Sequence, residues 1–169
     1  CDHAANGRLE LVQQMLASGE LRGDGNRNDA LARAAENGHV DVVDCLLRNA
    51  MFDPSANDNY AIRFAALRGH LAVVERLLQD ERVDPSADDN YAIRWAAVNG
   101  HLTVVERLLQ DERVDPSAKD NNAVRFAAQY GHVAVVDRLL EDSRVDVAVA
   151  IRYSRPETLK RFECRERLT

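Results

Sequence analysis

The segment Asn59–Ala87, NYAIRFAALRGHLAVVERLLQDERVDPSA, decides the fold because the chain repeats it with few changes at Asn90–Ala118. A third, looser copy begins at Asn121. Five glycines mark the same period, each 31 residues after the one before: Gly7, Gly38, Gly69, Gly100 and Gly131. A fixed period of this length is typical of tandem structural repeats. The chain is therefore predicted to be an array of similar units.

Each unit is predicted to contain two short helices joined by a turn. In the copy at 59–87, Ala61–Arg68 holds strong helix formers, and Gly69 follows where a left-handed residue ends a helix. An apolar stripe marks the second helix: Leu71, Val74, Leu77 and Leu78. The segment 82–90 is rich in turn formers and is predicted to be a projecting loop or hairpin. Helices this short are unstable alone, so neighbouring units must supply the burial.

Four segments carry one longer motif: AAENGHVDVVDCLL (34–47), AALRGHLAVVERLL (65–78), AAVNGHLTVVERLL (96–109) and AAQYGHVAVVDRLL (127–140). They resemble the AAxxGHxxVVxxLL signature of ankyrin repeats, from the start of the chain to about residue 149. The resemblance implies an all-α solenoid of helix-turn-helix-hairpin units. The family's TPLH tetrapeptide is replaced here, and the period is 31 residues instead of about 33. This variant is similar to arrays of large DNA viruses of amoebae.

The repeat boundaries predict an ankyrin array over residues 1–149 followed by a degenerate C-terminal capping repeat over 150–169. Five units are expected in the array, at about 1–24, 25–55, 56–86, 87–117 and 118–148. Ala150–Arg152 echoes the start of a first helix, and Ser154–Glu157 is predicted to be a capping box. Leu159 and Phe162 would form the apolar side of the helix that follows. Terminal units of solenoids are atypical because their outer face meets water.

Composition excludes several classes of function. The formal charge is −6, and the excess of basic residues is confined to 150–169, so we expect no nucleic-acid partner. Three distant cysteines without metal-ligand spacing indicate a reducing, intracellular and cytoplasmic setting, which would be the host cytoplasm if the protein is viral. No apolar run is long enough to span a membrane, so no membrane partner is expected. We also expect a monomer without cofactor or metal.

The histidines of the Gly-His turns are the main candidates for chemistry: His39, His70, His101 and His132. They recur once per unit, and no nucleophile recurs beside them to form a triad. Stacked units would hold them too far apart to share a metal ion. The resemblance implies a structural role for these residues in the turn. With no catalytic residue, metal site or phosphate-binding loop identified, the chain is predicted not to be an enzyme.

Charged residues recur in the loops and at the start of the first helices. The aspartates match no calcium-loop spacing, so turn formation is the main interpretation, with an acidic edge that attracts basic partners as the alternative. Arg63, Arg94 and Arg125 form a column 31 residues apart. Carboxylate pairing with Asp58, Asp89 and Asp120 is expected for them, and contact with a partner is the alternative.

Comparison of the copies suggests where recognition occurs. Three residue pairs at the end of the first helices change in polarity, charge and size: Leu67-Arg68, Val98-Asn99 and Gln129-Tyr130. The loop position occupied by Asn57, Asp88 and Lys119 also varies. In ankyrin proteins these regions line the concave face, so the resemblance implies partner binding there, with Trp95 and Tyr130 as anchors. Random drift at exposed positions is the alternative.

The sequence therefore predicts a non-enzymatic module that binds another protein through the concave face of the array. Two further hypotheses remain open. The chain could be the targeting or adaptor portion of a larger protein, such as a ubiquitin-ligase recruiter, whose activity lies outside these residues. It could also be a structural spacer without a specific partner.

Overall fold

The computed structural model describes residues 2–20 and 27–154. Within these ranges the chain forms eleven α-helices and no strand. The helices are α1 (Asp2–Ala5), α2 (Leu9–Ser18), α3 (Arg27–Glu36), α4 (Val40–Leu47), α5 (Ala56–Arg68), α6 (Leu71–Leu77), α7 (Ala87–Val98), α8 (Leu102–Leu108), α9 (Ala118–Tyr130), α10 (Val133–Leu139) and α11 (Val147–Tyr153). The connecting segments consist of turns and bends.

Consecutive helices alternate between two layers. The odd-numbered helices, α1 to α11, pack side by side in what we call the first-helix layer. The even-numbered helices, α2 to α10, form the second-helix layer. Packing between neighbouring helices is more extensive within the first-helix layer than within the second-helix layer. The predicted all-α repeat solenoid is confirmed by this arrangement.

Small and branched apolar side chains fill the space between the layers. In one repeat, α5 and α6 contribute the buried residues Ala61, Ile62, Ala65, Ala66, Val73, Val74 and Leu77. Their counterparts in the next two repeats are equally buried. Alanine on the first helix permits close approach of the backbones, so two short helices can share a dense core. Neither helix of a pair could bury this surface without the adjacent repeats.

The Gly-His turns lock each repeat to the one before it. Gly69 has φ 81°, the left-handed region that glycine adopts at little cost. The His101 ring of the next repeat lies directly over it, with Nε2 3.0 Å from the carbonyl oxygen of Leu67. The other three turn histidines make the same contact with a residue 34 positions earlier, at 2.9–3.0 Å: His39 with Ala5, His70 with Glu36 and His132 with Val98.

The last described helix, α11, begins earlier in its unit than the sequence suggests. Ala150–Arg152 lies within it, but the helix begins at Val147, and Asp146 caps it by accepting a hydrogen bond from the Ala148 N–H at 2.8 Å. Apart from Ser154, the predicted capping box lies outside the described residues, as do Leu159 and Phe162. The boundaries assigned to the repeats stay predictions. In the described ranges, no helix has the length and apolar character needed to cross a membrane.

Replacement of Gly69 by alanine tests the contact between the glycine turn and the next histidine. A Cβ at Gly69 would lie 2.6 Å from His101 Nδ1, in addition to the strain of φ 81°. We expect Gly69→Ala to lower the free energy of unfolding by roughly 2–4 kcal/mol, the sum of left-handed strain and overpacking. The measurement is chemical denaturation of both proteins.

Gly131→Ala is the matched control because Gly131 has φ 80° and the sequence contains no histidine after His132 that could lie over it. Gly131→Ala should lower the free energy of unfolding by the backbone strain alone, about 1–2 kcal/mol. Equal losses at the two positions would show that the histidine ring does not contribute to the cost.

Candidate functional site

Aromatic side chains recur along the first-helix layer in three consecutive repeats. We call Tyr60, Phe64, Tyr91, Trp95, Phe126 and Tyr130 the aromatic strip. The ring centroids are 3.8 Å apart for Tyr60 and Phe64, 5.8 Å for Phe64 and Tyr91, and 5.6 Å for Tyr91 and Trp95. In the following repeat, Phe126 and Tyr130 stack at 6.1 Å. The strip therefore crosses three consecutive repeats.

Six of the aromatic residues of the chain belong to the aromatic strip. The sequence has nine, and of those in the described ranges Phe52 alone is a buried core residue. Trp95 is 37% exposed and Tyr130 is 47% exposed. Tyr153 on α11 extends the row, since the Arg125 guanidinium lies 5.9 Å from the centre of its ring. Large rings placed at a surface, over a core made of smaller side chains, are typical of a binding face.

The strip changes composition along the array. Tyr60 and Tyr91 occupy one helix position, and Asn122 replaces the tyrosine there in the next repeat. Tyr130 then supplies a ring two turns further along α9, beside the Gly-His turn. Its ring also lies 6.3 Å from that of His132. The last repeat therefore offers a differently placed aromatic surface from the two before it.

The residues at the start of α5, α7 and α9 form a left-handed turn. Asn57, Asp58 and Asn59 have φ values of 54–59°, and the same conformation recurs at 88–90 and 119–121. Consecutive left-handed residues are costly for L-amino acids, and Asn and Asp tolerate the conformation best. Eight of these nine positions are Asn or Asp, with Lys119 as the exception. The asparagine- and aspartate-rich loops thus have a backbone reason.

The third residue of each left-handed turn connects two repeats. The side-chain oxygen of Asn59 accepts a hydrogen bond from the backbone N–H of Asp84 at 2.7 Å. Asn90 and Asn121 do the same for Asp115 and Asp146, at 2.7 and 2.8 Å. The side chain of Asn59 is therefore directed to the next repeat. This contact fixes where the next loop begins.

Two arginines of the column, Arg63 and Arg94, donate hydrogen bonds to backbone carbonyl oxygens of the left-handed turns. Arg63 donates to the carbonyl oxygen of Asn57 at 3.0 Å and to the carboxylate of Asp88. Arg94 donates to the carbonyl oxygens of Asp89 and Asp88 at 2.8 and 3.0 Å. Arg63 was expected to pair with the carboxylate of Asp58. The carboxylate that it contacts is instead that of Asp88, in the next repeat. Left-handed geometry turns these carbonyls toward the guanidinium groups, which the sequence pattern does not reveal.

The arginines also contact the aromatic strip. Arg63 lies 5.0 Å from the centre of the Tyr91 ring, and Arg125 lies 4.7 Å from that of Phe126. Guanidinium groups at such distances attract the face of an aromatic ring. Arg63 and Arg94 therefore each contact both a left-handed turn and an aromatic ring.

The variable loop position lies at the exposed tip of each left-handed turn. Asn57, Asp88 and Lys119 are all exposed. Asp88 is held by Arg63, and Lys119 pairs with Asp89 at 2.7 Å between Nζ and the carboxylate. These ion pairs connect consecutive repeats along the tips, beside the start of the aromatic strip.

The variable pairs at the ends of the first helices divide into two groups. Arg68, Asn99, Gln129 and Tyr130 are exposed. Leu67 and Val98 are half-buried, and their carbonyl oxygens are the partners of the turn histidines. Arg68 reaches back to the preceding repeat, where its Nη2 lies 2.9 Å from the Glu36 carboxylate. The exposed group lies one helical turn from the ring column at Phe64, Trp95 and Phe126, so it borders the aromatic strip.

A second set of arginines anchors the loops that carry the tips. Arg82 donates two hydrogen bonds to the Asp80 carboxylate, at 2.9 and 2.7 Å, and a third to the Phe52 carbonyl oxygen at 3.2 Å. Arg113 and Arg144 repeat this fork with Asp111 and Asp142. Their third bonds, to Val83 and Val114, measure 2.9 and 3.0 Å. The fork joins a loop to the loop of the preceding repeat.

The forks change the acidity of their carboxyl groups. The hydrogen bonds from arginine lower the pKa of Asp80, Asp111 and Asp142 below the ordinary aspartate value, against a smaller opposing effect of burial. The carboxylates raise the pKa of the partner arginines in return. These aspartates and arginines were not selected from the sequence. The aspartate lies two residues before the arginine in each pair, and the pair recurs every 31 residues, so the pattern could have been detected.

Groups of acidic, histidine and cysteine residues do not converge within the described ranges. No cluster of three or more such side chains there could hold a metal ion. Cys45 is half-buried on α4, and burial raises the pKa of its thiol.

Comparison with known proteins gives one finding. A family model for ankyrin repeats in three copies matches residues 1–89 and again residues 62–151. Together the two matches run from residue 1 to residue 151. A search of curated proteins gave no match.

The aspartate–arginine forks predict a specific acid sensitivity. Because their pKa values are lowered in the folded chain, the forks add stability that is present above the ordinary aspartate pKa near 4 and is lost as the pH falls through the lower folded values. The triple variant Asp80→Asn, Asp111→Asn, Asp142→Asn should therefore have a lower Tm at pH 7. Its Tm should also fall less between about pH 5 and pH 2. Thermal unfolding followed by circular dichroism at several pH values measures both effects.

The control is a triple variant at exposed aspartates, Asp41→Asn, Asp58→Asn and Asp120→Asn. Its Tm should fall more between about pH 5 and pH 2 than the Tm of the fork variant does. If the fall of Tm is reduced equally in both variants, the forks are not the main source of the acid sensitivity.

Proposed function

The chain belongs to the ankyrin repeat family, and on that premise we propose that it binds a partner protein through the aromatic strip and its exposed borders. Ankyrin repeats are in general protein-interaction modules. The observation that supports this proposal most directly is the use of aromatic residues. All four tyrosines and the one tryptophan lie on first helices or on α11.

The exposed rings are suited to act as anchors for a partner. Tryptophan and tyrosine are enriched among residues that dominate binding energy, because they bury a large area at a small cost in side-chain entropy. Stacking between Tyr60, Phe64, Tyr91 and Trp95 holds these rings in place before a partner arrives. A pre-ordered surface loses less conformational entropy on binding. Trp95 and Tyr130 are the most exposed rings of the aromatic strip, so we assign them the anchor role.

Specificity is assigned to the variable residues that border the strip. On one side lie the tips Asn57, Asp88 and Lys119. On the other lie the exposed residues Arg68, Asn99, Gln129 and Tyr130. Because these side chains differ between otherwise similar repeats, successive repeats present different polar groups to a bound chain. Leu67 and Val98 are half-buried and would contribute at the edge of the contact.

The exposed anchors can be tested with paired substitutions. Trp95→Ala with Tyr130→Ala should weaken binding of a captured partner at least 30-fold, which corresponds to a combined loss of about 2 kcal/mol or more from the two rings. The partner is obtained by affinity capture with the wild-type chain, identified, and then titrated as a purified protein. Trp95 is the one tryptophan of the chain, so its fluorescence reports contact at the strip directly.

The matched control is Gln79→Ala with Gln110→Ala, which alters exposed residues just after the helices of the second-helix layer. It should leave the affinity within about twofold. A partner that binds both double variants as tightly as the wild type would contradict the assignment of this face.

A further inference from the structure

Arg125 differs from the other two arginines of the column in the groups that its guanidinium contacts. Arg63 donates to the Asp88 carboxylate and to the Asn57 carbonyl oxygen, and Arg94 donates to two backbone carbonyl oxygens. Neither an ion pair nor a hydrogen bond joins the Arg125 guanidinium to any residue that the structure describes, and its Nε is buried without an acceptor. The Arg63 Nε is unpaired as well, but both terminal nitrogens of Arg63 are bonded. Arg125 is thus the arginine of the column whose donors are left unused by the described residues.

The position that supplies a carboxylate to Arg63 supplies none to Arg125. Asp88 contacts Arg63 from the left-handed turn at the start of α7, one repeat later. One repeat after Arg125, α11 begins without such a turn, and the Asp146 carboxylate caps the helix instead. The pair of Arg125 with Asp120, expected from the sequence, is not formed in the described part of the chain either. Among the residues described, no carboxylate therefore pairs with Arg125.

Aromatic rings hold the Arg125 guanidinium at the end of the aromatic strip. The guanidinium lies 4.7 Å from the centre of the Phe126 ring and 5.9 Å from that of Tyr153. Tyr153 is 41% exposed, and Tyr130, which stacks on Phe126, is 47% exposed. A guanidinium that packs on ring faces keeps the N–H groups in its own plane for an acceptor. The end of the strip therefore combines exposed rings with donors that the described residues do not use.

We propose that an aspartate or glutamate side chain of the partner pairs with Arg125 between α9 and α11, an inference that rests on the proposed function of the aromatic strip. A carboxylate matches the planar guanidinium because it accepts two parallel hydrogen bonds. Within this chain, Asp88 already makes a carboxylate–guanidinium contact with Arg63. Arg152, next to Tyr153 in the chain, is exposed and adds positive charge on α11. The partner segment is therefore acidic where it meets α9 and α11.

Peptides selected from a random library displayed on phage, with the full chain as the target, test this inference. Peptides that no longer bind after Trp95→Ala with Tyr130→Ala occupy the strip, and these peptides should share an acidic residue. Replacing that residue in the synthetic peptide by asparagine or glutamine should weaken binding to the wild type about tenfold, as expected for loss of a charge-assisted hydrogen bond. On Arg125→Met, the acidic peptide and the amide peptide should bind within about twofold of each other.

Arg94→Met is the matched control, because the Arg94 donors are already bonded to backbone carbonyl oxygens. This variant should keep the preference for the acidic peptide at about tenfold. If Arg94→Met abolishes the preference as fully as Arg125→Met does, general positive charge explains it and the inference is wrong. If peptides that need Trp95 and Tyr130 show no preference for an acidic residue, the inference is wrong and the proposed function stands. If no selected peptide needs those two rings, the proposed function is contradicted, and this inference with it.

Thermal unfolding of the same two variants gives a measurement that needs no partner. Arg125→Met should change the Tm by less than about 2 °C, because methionine keeps the contact with the rings and removes a buried N–H group that has no acceptor. Arg94→Met should lower the Tm by at least about 3 °C, since it loses two hydrogen bonds. A loss for Arg125→Met as large as that for Arg94→Met would show that an acceptor within the chain already occupies Arg125, and would overturn the inference.

Discussion

The contact between each turn histidine and the repeat before it is the constraint on which the array depends. The imidazole of His101 rests on Gly69 and on the carbonyl group of Leu67, and the same geometry recurs at the other described turns. A side chain at the glycine would occupy the place of the ring, so the residue must be glycine for steric as well as conformational reasons. Because each repeat provides the surface for the next, the spacing of the helices is fixed throughout the array.

Further hydrogen bonds add to this constraint at the loops. Asn59 links its repeat to the backbone of Asp84, and Arg82 links a loop to the carbonyl group of Phe52 in the preceding one. These bonds use polar side chains to satisfy backbone groups that a short turn leaves unpaired. The left-handed turns are held at both ends as a result. Their tips, at Asn57, Asp88 and Lys119, are exposed and can vary in sequence without disturbing the core.

The core composition leaves the aromatic residues available for the surface. Alanine, valine, leucine and isoleucine fill almost all of the buried positions in the described ranges. A repeat pair joined through small side chains has no room for large rings between the layers. The rings are instead stacked along the exposed side of the first helices. The small side chains of the core therefore account both for the tight packing of the helices and for the position of the aromatic rings at the surface.

The sequence predicted the candidate site in part. Arg68 and Asn99 were selected because they differ between copies, and they border the aromatic strip. Trp95 and Tyr130 were selected as aromatic anchors, and both belong to the strip. Tyr60 and Tyr91 were not selected because they are identical in the two copies compared. Comparison of copies detects variation, whereas the strip depends on residues that stay the same. The expected pairing of Arg63 with Asp58 was incorrect because the acceptors belong to a left-handed turn and to the next repeat.

By itself, the sequence determined the repeat period, the helical class, the Gly-His turns and the apolar stripes. The turns and the apolar stripes lie within one unit of 31 residues, and the period follows from comparison of the units. Only the tertiary structure decided the partners of Asn59, Arg63 and Arg82, and the joining of separate rings into one strip. Those contacts join residues about 25 to 34 positions apart, which meet only when one repeat is stacked on another.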